Sequence, residues 1–347
     1  MLLYCRPGFE KEAAAEISAI TQRIGLYGYV KAKADSGYAV FHPQSASGPE
    51  QLTQQLHYPA LIFPRQLIFA LDMIKDLPSD DRISPLLAHI QQTGLTFNDC
   101  WLETPDTNDG KQLNTFTRKF SGLFNKALKQ HRLMDSGSRW RLHIFFLSSS
   151  ALYIGVSDTN NSSPLPMGIP RLRMSRAAPS RSTLKLDEAL KTMLSSDEQQ
   201  RYLQNGMSAV DLGACPGGWT WQLVNRGMRV TAIDNGAMNE ELMASGLVTH
   251  IRADGFKFTP EIPVDWLVCD MVERPLHISR LMARWLSEGL CRYAVFNLKL
   301  PMKQRYDIVQ QCRDIIEEEC LAHGLKCQIR MKQLYHDREE ITVVVLQ

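Results

Sequence analysis

The sequence lacks any long hydrophobic run, any Cys-x-x-Cys pair and any large net charge. Apolar runs such as 294–298 and 341–346 are far shorter than the roughly 20 residues of a membrane-spanning helix, and Met1 opens onto no signal-peptide pattern. The eight cysteines show no zinc-type spacing, so we expect no metal site, no membrane contact and a reduced, cytoplasmic protein. With 39 Lys and Arg against 37 Asp and Glu, overall charge indicates no partner.

What is present is an ordinary globular composition, with 44% hydrophobic and 22% charged residues. A chain of 347 residues predicts two or three domains rather than one. The clearest boundary is 158–170, where Asn, Ser, Pro and Gly cluster, and a turn at 58–64 divides the preceding half again. The predicted organisation is a domain at 1–64, a domain at 65–160, a linker at 161–171 and a domain at 172–347.

After the boundary, short apolar runs alternate with helical stretches. Because these runs show no polar alternation, they indicate strands covered by helices on both faces, and we predict an α/β fold with a Rossmann-like, mostly parallel sheet of seven strands. The predicted strands are 209–212, 229–233, 250–253, 266–269, 293–298, 328–334 and 341–346. The preceding half predicts α+β structure, with a helix at 11–21 and strands at 2–5, 29–31, 38–41, 141–147 and 152–156.

The stretch DLGACPGGW at 211–219 lies between an apolar strand and a helical stretch. Its glycines allow a sharp turn and close approach to a ligand, although a plain tight turn is the alternative. The next strand ends at Asp234, where a carboxylate can accept both hydroxyl hydrogens of a ribose. Together these features predict a nucleoside cofactor. The dinucleotide pattern G-x-G-x-x-G is absent, which disfavours NAD and favours S-adenosylmethionine; Asp254 either contacts its adenine or caps a helix.

Four ionisable residues are expected to meet at one edge of the sheet. Asp270 and Lys299 end the fourth and fifth strands, Glu340 opens the last, and Lys185 precedes the first. A lysine, once uncharged, can take the proton of a weakly acidic hydroxyl. We therefore expect Lys185 to lower the pKa of Lys299, while the two carboxylates orient the amines.

Two stretches are rich in basic residues. Between 111 and 141 there are eight, against one acidic residue, and 171–185 holds five with no acid among them. Each is either a solvated face or a surface for an anionic partner. Phe116, Phe120 and Phe124 lie four residues apart within the first stretch, which favours core packing over base stacking.

The motifs SRSTLKLDE at 180–188 and DLGACPGGW, together with Asp270, LKL at 298–300 and REEI at 338–341, resemble the FtsJ-like RNA ribose 2′-O-methyltransferases with a Lys-Asp-Lys-Glu tetrad. The resemblance extends over essentially the whole chain. It implies a cytosolic enzyme that methylates the 2′-hydroxyl of one cytidine in the peptidyl-transferase region of 23S rRNA. We expect the protein to be a monomer. The resemblance further implies a ferredoxin-like first domain and a THUMP-type RNA-binding second domain.

The resemblance also assigns roles to individual residues. Lys299 becomes the proton acceptor, with Lys185, Asp270 and Glu340 as the other catalytic residues; Glu340 is preferred over Glu339 because it directly precedes the last strand. The implied contacts to S-adenosylmethionine are Ser182, Cys215, Pro216, Gly217, Gly218, Asp234, Asp254 and Asp270. The implied RNA-binding residues are Lys119, Lys126, Lys129, Arg132, Arg171, Arg173 and Arg176.

Two other functions are weighed against this one. A methyltransferase acting on an RNA base would carry an Asn/Asp-Pro-Pro-aromatic turn after the fourth strand, or a cysteine nucleophile; the chain has DMVERP at 270–275, and Cys269 lies inside a strand where a core role is favoured. A non-catalytic RNA-binding assembly factor would have no need of the four ionisable residues.

Overall fold

The computed structural model describes residues 1–45 and 48–347 and divides the chain into two units, Met1–Ile169 and Pro170–Gln347. Most of the predicted linker, 161–169, therefore belongs to the first unit. Asn161 is buried there and accepts a hydrogen bond from the Tyr58 amide at 2.8 Å. Buried Ser163 donates its amide to the side chain of Gln66 at 3.0 Å. The polar residues that suggested a linker thus satisfy distant buried groups.

The first unit combines strands and helices, as predicted. Its strands are β1 Leu2–Tyr4, β2 Gly28–Ala32, β3 Tyr38–Pro43, β4 Gln66–Ile74, β5 Asp99–Glu103, β6 Trp140–Phe146 and β7 Leu152–Asp158. Its helices are α1 Glu10–Arg23, α2 Pro49–Gln55, α3 Ile83–Gln92, α4 Asn108–Gln112 and α5 Asn114–Gln130. Two of these strands, β4 and β5, are absent from the sequence prediction.

Among the described residues of this unit, seven strands form one sheet in the order β2-β3-β1-β4-β7-β6-β5. Only the β5–β6 pairing within it is parallel. The boundary predicted between 64 and 65 falls directly before β4, which pairs with β1 on one side and β7 on the other. The division into two domains at that point stays a prediction.

Helix α5 carries the aromatic residues of the first basic stretch. Phe120 and Phe124 are buried, and the rings of Phe116, Phe120 and Phe124 stack in series with centroids 5.6 Å apart. Phe146 of β6 meets the first two rings edge-on. The preference for core packing over base stacking is therefore confirmed, and the polar face of the helix is left to its basic residues.

The second unit is the α/β fold that the sequence predicts. Its strands are β8 Ser208–Leu212, β9 Arg229–Ile233, β10 Val248–Ile251, β11 Val264–Cys269, β12 Cys291–Lys299, β13 Gln328–Lys332 and β14 Glu340–Leu346. Its helices are α6 Thr183–Thr192, α7 Ser196–Tyr202, α8 Gly218–Val224, α9 Glu240–Met243, α10 Pro275–Ser287 and α11 Arg305–Ala322. Strand β10 begins and ends two residues earlier than predicted, so Asp254 lies in a turn beyond it.

Among the described residues of this unit, seven strands form a sheet in the order β10-β9-β8-β11-β12-β14-β13. The first five run parallel and β14 is antiparallel to both of its neighbours. Buried residues of α6 and α8, including Leu186 and Trp219, pack with Trp266 and Val268 of β11. In the described residues, no helix is both long and apolar enough to cross a bilayer.

Candidate active site

Four ionisable side chains converge at the carboxyl edge of the parallel strands in the second unit. Lys299, the last residue of β12, stands opposite Glu340, the first residue of β14. Asp270 directly follows β11, the parallel neighbour of β12, and Lys185 lies in the first turn of α6. Strand ends in this fold place side chains where ligands bind. We call Lys185, Asp270, Lys299 and Glu340 the edge cluster.

In the edge cluster each carboxylate bridges both amines. Lys185 Nζ lies 3.1 Å from Asp270 Oδ2 and 2.5 Å from Glu340 Oε1. Lys299 Nζ lies 2.6 Å from Asp270 Oδ1 and also donates to Glu340 Oε2. The side chains of Lys185, Asp270 and Lys299 are 16%, 15% and 24% exposed, whereas that of Glu340 is 6% exposed. Glu340 is thus the buried member of the edge cluster, and the other three side chains remain accessible to solvent.

The protonation of Lys299 differs from the sequence prediction. Burial lowers the pKa of its amine, but the charges and hydrogen bonds of Asp270 and Glu340 outweigh burial and raise the pKa above its usual value. The prediction that Lys185 leaves Lys299 uncharged is therefore wrong for the protein without cofactor. For Glu340 both directions are opposite. Burial raises its pKa, but the charges and hydrogen bonds of Lys185 and Lys299 outweigh burial and lower the pKa below its usual value.

The structure separates Glu340 from its neighbour Glu339. The Glu339 carboxylate is 62% exposed and accepts a hydrogen bond from Arg305, outside the edge cluster. Its backbone carbonyl accepts the amide of Leu300 at 2.7 Å, just beyond Lys299. Glu340 is the first residue of β14, whereas Glu339 lies in the bend that precedes the strand.

The glycine loop at 213–218 and the end of β9 form the neighbouring part of the site. Asp234 accepts the Cys215 amide at 3.0 Å on one carboxylate oxygen and the Gly236 amide at 2.7 Å on the other. These bonds fix the carboxylate and leave a lone pair on each oxygen for a ligand hydroxyl. Gly217 has φ of 114°, a left-handed conformation that only glycine adopts readily, as the chain turns into α8. The residues fit a ribose-bearing cofactor.

Ser182 approaches the same loop from the start of α6. Its Oγ lies 2.7 Å from Ser180 Oγ, and a Cβ added at Gly218 would come within 2.2 Å of Ser182 Oγ. Only a glycine at 218 allows this approach. Asp254 bonds the Phe256 amide at 3.0 Å, and its side chain is half exposed. It therefore makes a local turn contact, and a contact with adenine stays a prediction.

Asp211, Asn297, Thr342 and Asp337 are buried beneath the site and were not predicted as site residues. Asp211 accepts the Thr220 hydroxyl at 2.6 Å, and burial raises its pKa to about 7. A carboxylate inside an otherwise apolar strand was the available signal for Asp211. For Asn297 the only signal was an amide two residues before Lys299 on the same strand.

The remaining predicted residues fall into two groups. The seven basic residues assigned to RNA binding are all exposed: Lys119, Lys126, Lys129 and Arg132 in the first unit, and Arg171, Arg173 and Arg176 in the second. Cys269 is buried, and burial raises the pKa of its thiol to about 12, so its predicted core role is confirmed. The described residues contain no His, Cys, Asp and Glu grouping that could hold a metal.

Models of known protein families match three parts of the chain. The RlmM ferredoxin-like domain matches residues 1–68 and the N-terminal region of ribosomal RNA large subunit methyltransferase M matches residues 81–158. FtsJ-like methyltransferase matches residues 178–300. The resemblance drawn from the motifs is therefore confirmed, together with S-adenosylmethionine as the cofactor and a seven-stranded Rossmann-like fold.

Full-length relatives carry the same description. Ribosomal RNA large subunit methyltransferase M of Methylococcus capsulatus is 54% identical over 346 residues, which are 99% of this chain and 96% of the relative. The protein of that description from Cellvibrio japonicus is 52% identical over 342 residues, 99% of this chain and 97% of the relative. Among solved structures, TrmN from Thermus thermophilus covers 100% of this chain and 98% of its own at 15% identity, with a TM-score of 0.35.

Proposed function

The chain belongs to the ribosomal RNA large subunit methyltransferase M family, and from this membership we propose that it methylates the ribose 2′-hydroxyl of one cytidine in the peptidyl-transferase region of 23S rRNA. The observation that carries the proposal is the edge cluster, in which an accessible lysine amine lies 2.6 Å from one carboxylate and contacts a second. Such an amine beside a methyl donor can take a hydroxyl proton. Methylation of a base amine or of a base carbon involves no hydroxyl proton.

The chain's own residues account for the binding of the methyl donor. Asp234 would hold the ribose hydroxyls, the loop from Cys215 to Gly218 would enclose the amino-acid portion, and Ser182 would line the loop. When bound, S-adenosylmethionine supplies the methyl group and a sulfonium cation, whose charge disfavours protonation of a neighbouring amine. Binding of the donor therefore opposes the two carboxylates that keep Lys299 charged.

Lys299 is an ammonium in the free protein, so it must release a proton to solvent before it can accept one. The neutral amine would then take the proton of the ribose hydroxyl as the oxygen displaces the thioether sulfur from the methyl carbon, so that an O–C bond forms while the C–S bond breaks. Asp270 and Glu340 stabilise the ammonium that forms, and Lys185 balances their charge. Because the neutral amine becomes more abundant as pH rises, kcat/KM for methyl transfer should increase with pH, measured with radiolabelled donor.

Substitution of Lys299 tests the proton acceptor. Lys299→Met removes the amine and keeps the length of the side chain, so the methylation rate should fall about 100-fold to 10,000-fold. Calorimetry should find the affinity for S-adenosylhomocysteine changed less than threefold, because Asp234 and the glycine loop remain. Glu339→Gln is the matched control, since its carboxylate lies outside the edge cluster and the rate should be unchanged.

Chemical identity of the nucleophile is tested on the RNA. A transcript with 2′-deoxycytidine at the target position should accept no methyl group, because the attacking oxygen is missing. Mass spectrometry of the digested RNA measures this. Methylation of the deoxy substrate would instead assign the enzyme to a base, and a Lys299→Met protein that still supports ribosome assembly without methylating RNA would indicate an assembly factor.

A further inference from the structure

A line of buried polar side chains leads away from the edge cluster into the second unit. Asn297 Nδ2 donates to Asp270 Oδ1 at 3.2 Å, and Thr342 Oγ1 lies 2.8 Å from Asn297 Oδ1. Thr342 Oγ1 lies in turn 3.2 Å and 3.0 Å from the two carboxyl oxygens of Asp337. Asn297, Thr342 and Asp337 are each 0% exposed. We call these three residues the support chain.

The direction of each hydrogen bond in the support chain follows from the charge of Asp270. Asp270 accepts bonds from both lysines, so it is ionised and Asn297 must present its NH₂ group to it. The amide oxygen of Asn297 then faces Thr342, which must donate its single hydroxyl proton to it. Thr342 is left with only lone pairs to present to Asp337.

This geometry decides the protonation of Asp337. An ionised carboxylate would place an oxygen against the Thr342 oxygen with no proton between them, at a site without water access. The Leu334 amide donates to Asp337 Oδ2 at 3.0 Å, so the remaining oxygen, Oδ1, is the one free to carry a proton toward Thr342. A neutral carboxyl group therefore satisfies every bond in the chain, and an ionised one does not.

The surroundings of Asp337 agree with this assignment. Burial raises its pKa well above the usual value, and the negative charges of Glu340 and, to a lesser extent, Glu188 also raise it, whereas the Leu334 amide and Lys185 lower it. The charge balance of the edge cluster also favours it, because two amines and two carboxylates cancel. An additional negative charge behind Asp270 would bind the Lys299 proton more tightly and oppose its release.

We propose that Asp337 is a protonated acid that donates through Thr342 and Asn297 to hold Asp270 in place against Lys299. Asp337 is thus a positioning residue, and this role rests on the proposed function of Lys299 as the proton acceptor. A protonated Asp337 makes a prediction that an ionised one does not: an amide side chain at this position should preserve the methylation rate. In Asp337→Asn the side-chain NH₂ can donate to Thr342 and the oxygen can accept the Leu334 amide, as the neutral acid does.

The first experiment compares two substitutions at 337. Asp337→Asn should keep the methylation rate within about threefold of the unmodified protein, whereas Asp337→Leu should lower kcat about 10-fold to 100-fold with unchanged donor affinity. The pH profile of kcat should keep its shape in Asp337→Asn. A loss of activity in Asp337→Asn as large as that in Asp337→Leu would show that a negative charge is needed there and would overturn the proposal.

A second pair of variants, at Thr342, tests the proposal independently in case Asp337→Leu does not fold. Thr342→Ser keeps the hydroxyl and should retain activity, whereas Thr342→Val is of similar size, cannot relay the bond and should lose about 10-fold in kcat. Equal rates in Thr342→Val and Thr342→Ser would overturn the proposal, since the hydroxyl would then carry no positioning bond.

A third measurement does not depend on methyl transfer. Infrared difference spectra at neutral pH should contain the carbonyl band of a protonated carboxylic acid that Asp337→Asn removes and the exposed control Asp314→Asn leaves unchanged. Absence of that band would overturn the proposal. If the band is present but Lys299→Met still methylates RNA, Asp337 is protonated as proposed and the failure belongs to the proposed function.

Discussion

Each unit of the molecule holds a bonded group of four polar side chains, and the two groups differ in access to solvent. In the first unit, Tyr4 donates to Glu103 at 2.8 Å, and His143 lies 2.7 Å from Glu103 and 2.8 Å from Ser157. We call these four residues the core cluster. None of these four residues is more than 3% exposed. Three residues of the edge cluster, in contrast, have side chains that are 15% to 24% exposed.

Hydrogen-bond geometry by itself therefore does not identify a catalytic site. Ser157, His143 and Glu103 are bonded in the order of a hydrolase triad, yet they lie on the adjacent strands β7, β6 and β5 inside the sheet. A buried serine cannot reach a substrate. The edge cluster lies instead at the carboxyl ends of parallel strands, where this fold binds ligands. Solvent access, rather than hydrogen-bond geometry, distinguishes the edge cluster, which we propose to be catalytic, from the core cluster.

Glu103 is the shared acceptor of the core cluster, so its removal should destabilise the protein more than any other change considered. Glu103→Ala leaves the Tyr4 hydroxyl, His143 and the Met167 amide without their shared buried acceptor. The free energy of unfolding should fall by about 3–5 kcal/mol, measured by urea denaturation. Ser157→Ala, which removes one bond, should cost about 1 kcal/mol. If Glu103→Ala had the same free energy of unfolding as the unmodified protein but no longer methylated RNA, the core cluster would take part in catalysis.

Asp211 is as buried as the core cluster, and the charges that raise its pKa, those of Asp270 and Asp234, are both negative. Its pKa is raised to about 7 in the folded protein, against about 3.9 when unfolded. The folded state therefore binds the proton more tightly, and stability falls as pH rises between these values. Asp211→Asn removes this dependence, so its stability relative to the unmodified protein should improve by about 3 kcal/mol between pH 5 and pH 8.

Urea denaturation of both proteins at pH 5 and pH 8 measures the effect of Asp211. The amide can still accept the Thr220 hydroxyl, so the variant should fold at both values. The same change in stability with pH in the two proteins would mean that Asp211 is ionised in the core, and that burial does not control its charge.

Sequence pattern was enough to predict the edge cluster because parallel strands bring their ends to one edge. Lys299 and Asp270 terminate apolar runs and Glu340 opens one, so topology alone makes them neighbours. The charge of Lys299 could not be predicted in the same way. It depends on whether the amine lies nearer to carboxylates or to Lys185, and that is a matter of distances of about 3 Å set by the packing of α6.

Long-range pairing accounts for the other failures. Strand β4 begins with buried residues and is exposed at Asp72 and Met73, and its register on β7 shifts between Ala70 and Asp72, so no single period marks the whole strand. Residues 161–169 have the composition of a linker, but Asn161 and Ser163 bond Tyr58 and Gln66, about 100 positions away. The support chain joins residues from β12, β14 and the loop before β14 through hydrogen bonds that no local pattern encodes.

Charges on the surface of the first unit belong to neither cluster, and changing them should have the mildest consequences. Lys119, Lys126 and Arg132 are exposed on α5 and just beyond it, so their reversal to Glu should leave stability unchanged and weaken RNA binding about 10-fold. Lys11→Glu, Lys31→Glu and Lys33→Glu change the net charge equally elsewhere in the first unit and are the matched control. Titrations over a range of salt should show the salt slope reduced by about 2 for the first triple alone. Equal losses in both triples would indicate a response to net charge rather than a basic RNA-binding surface.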